Sequence, residues 1–153
     1  AQKDSKLYLI CTGNKFSQDE EDLLSKLHIK NKTLQINASD KELSELYTRA
    51  SLFVFPSLYE GFGIPILEAY ACHCPIAISN TSCFPEIAGD AAIYFDPYSV
   101  KDIANTIEAV IYNPQKSNEL IQKGIKRLEL YSWEKTVVET EETYKKTIQG
   151  YNF

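Results

Sequence analysis

Apolar positions along the chain fall into two alternating patterns. Short continuous runs, "LYLIC", "LFVF", "PIAIS" and "AAIYF", are bounded by Gly, Pro, Asn or Ser, as buried strands are. Between them lie longer stretches in which apolar residues recur every three to four positions, the period of a helix. "KLYLICTG" reads as a strand, followed by a helix in "SQDEEDLLSKLH" with Ser17 as N-cap and Leu23, Leu24 and Leu27 on one face. "KTLQIN" reads as a second strand. "SDKELSELYTRA" reads as a second helix, with Ser39 and Glu42 in capping-box positions. "SLFVFP" is the third strand, a helix follows from about Pro65 to His73, and "PIAIS" and "AAIYF" are strands again. "SVKDIANTIEAVIYN", capped by Ser99, is a helix, and two more helical segments fill residues 115–153.

Strands alternating with helices favour a parallel sheet, because parallel neighbours need crossover connections and helices supply them. The expected fold class is therefore α/β, a Rossmann-like parallel sheet flanked by helices, in a single domain over residues 1–153. Ligands on such sheets bind beyond the carboxyl ends of the strands.

Composition narrows the function. The 153 residues are 44% hydrophobic and 24% charged, with a net charge of −5. That balance excludes the basic face a nucleic acid requires, so no nucleic-acid partner is expected. No run reaches the length of a spanning helix, and the start "AQKDSK" is no signal peptide, which points to the cytoplasm. Methionine is absent, initiator included, as in a chain processed or cut from something longer. Four cysteines are present, Cys11, Cys72, Cys74 and Cys83. "CHCP" lacks the spacing of a zinc knuckle, and on a continuous helix Cys72 and Cys74 would diverge by about 200°. The cysteines read as reduced packing residues, and no metal or other cofactor is expected.

The candidate chemistry sits in "FPSLYEGFGIPILEAY", residues 55–70, at the carboxyl end of the third strand. Gly61 and Gly63 permit unusual backbone conformations and close approach of a ligand to the main chain. Pro65 suits the first turn of a helix, whose free N–H groups and dipole make an anion site fit for a phosphate. Glu60 lies before that helix and Glu68 about one turn inside it. Carboxylates repel a phosphate but accept hydrogen bonds from neutral hydroxyls on either side of it. An anion site flanked by hydroxyl acceptors suits a nucleotide sugar. Glutamates in a first helical turn are also favoured by the dipole with no function at all.

The run "ASLFVFPSLYEGFGIPILEAYACHCPIAISNTSCFPEIAGDAAIYFDPYSVKDIANTI" closely resembles the carboxyl-terminal half of retaining glycosyltransferases of family 4, which have the two-domain GT-B fold. "SDKELSELYTRA" and "YSWEKTVVETEETY" resemble the helices that flank it. The resemblance implies a hexosyltransferase that moves sugar from a nucleoside-diphosphate donor to a saccharide or lipid-linked acceptor, as in polysaccharide biosynthesis. It implies that Glu60 engages the transferred sugar in the catalytic position. Gly61, Phe62, Gly63 and Ile64 would meet the sugar and diphosphate, and Glu68 the ribose hydroxyls. Ile36, Asn37 and Ala38, after the second strand, would form part of the base pocket. Asn80, Thr81 and Ser82 read equally as site lining or as turn chemistry.

The same resemblance implies parts beyond these residues. No Arg–Lys pair matching the family's diphosphate clamp precedes "LYLICTG", so the first strand of this half is expected to be missing, together with the amino-terminal GT-B domain. Without that charge the chain alone is expected to be inactive. A missing central strand exposes sheet edge, which a homodimer is one way to cover. Any membrane contact is expected at the inner face, through the absent domain. The alternative reading is a non-catalytic module on the same fold, binding a nucleotide sugar or a partner protein.

Overall fold

The structure, a computed structural model, describes residues 6–150. It divides between Leu46 and Tyr47 into two compact units. In the first, strand β1 (Leu9–Thr12) pairs in parallel with β2 (Thr33–Ile36), with Leu9 opposite Thr33. Helix α1 (Gln18–Lys26) connects them. Ser17 caps it as expected, and Glu20 closes a full capping box, its carboxylate accepting from the Ser17 N–H at 2.7 Å. A single 3₁₀ turn at Lys30–Lys32 precedes β2. Helix α2 (Asp40–Arg49) begins with the Ser39–Glu42 box read from the sequence and runs across the division.

The second unit holds a three-stranded parallel sheet in the order β3 (Phe53–Phe55), β4 (Ile76–Ser79), β5 (Ile93–Phe95). Phe53 pairs with Ile76, and Ala77 with Ile93. β4 is central and buried at every position, which is why its sequence is a continuous apolar run rather than an alternation. Helix α3 (Ile64–Ala71) crosses from β3 to β4. Between β4 and β5 lie the short helix α4 (Phe84–Ala88) and a 3₁₀ turn at Gly89–Ala91. Then come α5 (Val100–Ile111), capped by Ser99, and α6 (Pro114–Leu128). α6 packs on α3, α5 and the 3₁₀ turn. α7 (Trp133–Gly150) buries no residue and is braced by i,i+4 pairs such as Glu141 with Lys145. All strand pairing is parallel and each crossover is helical, the Rossmann-like arrangement the alternation predicts.

The core of the second unit is built on Ile66, Tyr70, Ile76, Ile78, Phe84, Phe95, Val110 and Leu120. Tyr70 is only 2% exposed, yet its hydroxyl finds no hydrogen-bond partner among the described residues. Burial pushes that phenol far above its ordinary pKa. An unpaired buried hydroxyl is destabilising. Tyr70→Phe is therefore expected to raise stability by about 1 kcal/mol, measured by urea denaturation; a loss of stability would show that the hydroxyl is paired.

Three expectations are corrected. α3 ends at Ala71, not His73, because Cys72 caps it and His73 takes a φ of 56°. Cys72 and Cys74 therefore occupy a turn, and only Cys74 is buried, its thiol pushed up to about 12 by desolvation. Gly61 has no positive φ. Only Gly63 uses the left-handed freedom expected of both, at φ 93°. The short helix α4 lacks the length to produce a readable period and is not evident from the sequence.

Candidate functional site

β3 ends at Phe55, and Pro56 halts the strand because it has no N–H for a ladder. The chain then turns through Ser57–Phe62 into Gly63, the N-cap of α3. Gly63 is buried against the Phe84 ring, and a Cβ there would lie 3.1 Å from its Cε1 atom. Its carbonyl accepts from the Ile66 N–H at 2.9 Å, while Pro65, near the helix start, carries no N–H to satisfy. Among the described residues, the N–H groups of Gly61, Phe62, Gly63 and Ile64 enter no hydrogen bond. Four free donors thus cluster at the positive end of α3, the arrangement that favours an anion. Nothing lies within 4 Å of the place a Gly61 Cβ would occupy, so that stretch of main chain is open to a ligand.

Each glutamate is tethered by one hydroxyl. The Ser57 hydroxyl reaches Glu60 Oε1 at 2.9 Å. Tyr47, 6% exposed and set edge-on to Phe53, donates its hydroxyl to Glu68 Oε2 at 3.3 Å. Desolvation and the Glu68 charge together hold the Tyr47 phenol far above its ordinary pKa, so it remains a donor. In both pairs the second carboxylate oxygen is left for another partner. Glu60 is half-buried and Glu68 exposed.

The turn after β4 closes on the same loop. Ser82 Oγ lies 2.7 Å from the Glu60 carbonyl, and Cys83 Sγ lies 3.3 Å from that carbonyl and 3.1 Å from that of Phe62. Cys83 is thus not mere packing, contrary to the sequence reading. The Phe62 ring stands edge-on to Tyr131 at 5.8 Å, which anchors the loop through a side chain as well as its backbone. Tyr131 in turn donates to the Ile87 carbonyl at 3.1 Å, which also accepts from Arg127 Nε at 2.9 Å. Arg127 Nη2 donates to Glu86, so one guanidinium satisfies the end of α4.

The structure thus brings Glu60, Gly61, Phe62, Gly63 and Ile64 onto one loop leading into the helix that carries Glu68. Ile36, Asn37 and Ala38 lie in the first unit, at the carboxyl end of β2, where the Ile36 carbonyl accepts from Gly13 N–H at 3.1 Å. Sequence reasoning missed Ser57, Tyr47 and Cys83. Ser57 stood three residues before Glu60 and could have been found by that spacing. Tyr47 and Cys83 gave no local signal. Among the described residues no group of three or more His, Cys, Asp or Glu comes together as a metal site would require. No helix among them is long and apolar enough to cross a membrane.

The family described as "Glycosyl transferases group 1" matches residues 1–127. The chain belongs to the group 1 glycosyl transferases. As a group 1 glycosyl transferase it is 38% identical over 106 residues to O-antigen chain mannosyltransferase B of Escherichia coli, across 69% of this chain and 28% of that protein. It therefore spans under a third of the length of this curated relative. Among solved structures, sucrose-phosphate synthase from Thermosynechococcus elongatus superposes with a TM-score of 0.82 at 22% identity, over 93% of this chain and 39% of that one. HepE from Anabaena, in complex with UDP, superposes with a TM-score of 0.79 at 16% identity, over 96% of this chain and 42% of that one. At such identities the superpositions establish the fold, that of the carboxyl-terminal half of a GT-B glycosyltransferase.

Proposed function

We propose that the chain is the donor-binding part of a retaining glycosyltransferase of family 4, which transfers a hexose from a nucleoside-diphosphate sugar to a saccharide or lipid-linked acceptor. The observation that carries this reading is the cluster of four free amides at the start of α3, flanked by two glutamates that each keep one carboxylate oxygen free. A diphosphate would sit on the amides. Glu68 would accept from the ribose hydroxyls, and Glu60, with Gly61 and Phe62, would meet the sugar. Charged acceptors form the stronger class of hydrogen bonds, which suits two carboxylates to holding hydroxyl-rich groups. No metal enters the proposal: the amides and the helix dipole supply the anion contacts.

The relative named a mannosyltransferase and the fold neighbour solved with UDP support the donor class. Because the chain spans 28% of that relative, we read it as a piece that binds donor without turning it over by itself. Acceptor recognition and any membrane contact would then belong to other parts of the protein.

Ligand-observed NMR with UDP, GDP, ADP and their glucose and mannose conjugates tests the donor site. One nucleotide is expected to bind selectively, and Glu68→Ala to weaken it roughly tenfold, as loss of a hydrogen bond to a charged group does. Unchanged affinity in Glu68→Ala would overturn the ribose assignment.

A further inference from the structure

We infer that the turn Thr81–Cys83, after β4, is a positioning device for the donor loop, built to turn the amides of Gly61 and Gly63 toward the ligand. The inference rests on the donor-site reading above and adds to it the residues that shape the loop. Three successive side chains of the turn meet three alternate carbonyls of the loop. Thr81 Oγ1 approaches the Leu58 carbonyl at 3.5 Å, Ser82 Oγ the Glu60 carbonyl at 2.7 Å, and Cys83 Sγ the Phe62 carbonyl at 3.1 Å. The Ser82 hydroxyl also accepts from the Glu60 N–H at 3.3 Å, so it holds both polar groups of that residue.

The alternation matters. Across a trans peptide the C=O of one residue and the N–H of the next point in opposite directions. With the Glu60 and Phe62 carbonyls facing the turn, the N–H groups of Gly61 and Gly63 face away from it. Those amides are among the four that enter no hydrogen bond. The turn therefore accounts for the direction of the Gly61 and Gly63 amides, which remain for a sugar nucleotide.

Ser82 itself supplies an independent sign. Its φ is 55°, in the left-handed region that favours glycine. Glycine would fill the position without backbone strain. The strained serine is balanced by its two contacts with Glu60, which glycine could not make. The same reasoning separates a positioning role from a merely structural one, because Ser82→Gly relieves strain while removing the hydroxyl.

The test uses ¹⁵N NMR and thermal denaturation of the full chain, wild type, Ser82→Gly and Cys83→Ala. The titrants are UDP, UDP-glucose, GDP and GDP-mannose. In the unliganded variants the Gly61 and Gly63 amide resonances are expected to move while those of the β3–β5 core stay in place. Affinity for the bound sugar nucleotide is expected to fall roughly fivefold in each variant, about what one neutral hydrogen bond contributes. Ser82→Gly is expected to melt no lower than wild type. Loop resonances unmoved in both variants, or unchanged donor affinity beside moved resonances, would overturn the inference and leave the donor site standing. Wild-type loop amides untouched by all four ligands would instead overturn the donor-site reading, and the unliganded spectra would still report whether the turn shapes the loop.

Discussion

Phe84→Ala lowers the stability of the second unit by about 3–5 kcal/mol, the range for deleting a buried phenylalanine ring. Phe84 is 0% exposed and packs at 5.1 Å on the Phe55 ring. Its edge also forms the floor beneath Gly63. Removing the ring leaves a cavity in the core and takes away the surface that defines the start of α3. The melting temperature is expected to fall by on the order of 10 °C, and donor affinity to fall with it even well below the transition. Circular dichroism and the nucleotide titration check the two effects separately. A loss under about 1 kcal/mol would show that the site collapses around the missing ring.

Gly124→Leu is expected to lower stability by about 3 kcal/mol, at the upper end of the usual overpacking range. Gly124 lies in α6 and is buried, and a Cβ there would fall 2.5 Å from Tyr70 Cδ1 and 2.9 Å from Cε1. Tyr70 is 2% exposed, so its ring can move aside only within the core. Helix propensity works in the opposite direction, since leucine is better than glycine by nearly 1 kcal/mol in a helix interior. The clash is expected to prevail because its nearest atoms belong to a rigid ring. Combining Gly124→Leu with Tyr70→Ala should recover part of the loss, a coupling of about 1–2 kcal/mol typical of residues in contact. Additive losses in the double variant would show that the ring is not the obstacle.

These two effects illustrate where reading the sequence reaches its limit. The parallel sheet was legible because strands and helices differ in period, and β4 and its neighbours announce themselves as apolar runs. Caps at Ser17, Ser39 and Ser99 were legible because a cap and the amides it satisfies lie within three residues. Gly63, Pro65 and the two glutamates were legible as a loop leading into a helix, since turn and N-terminal chemistry is local. Gly124 gave no warning. Glycine inside a helical pattern reads as a weakness, and its reason, the Tyr70 ring, lies on another helix.

By itself the sequence determined the element order, the parallel fold class, and a glycine-bearing loop with Glu60 before a helix and Glu68 inside it. Tertiary structure decided which hydroxyl holds each glutamate and which loop amides stay free. It also decided that Ser82 and Cys83 grip the loop carbonyls across sequence separations of 22 and 21 residues. The physical reason is range: periodicity and capping act within a turn or two of chain, whereas these contacts exist only once β3 and β4 lie side by side and bring their carboxyl-end loops together.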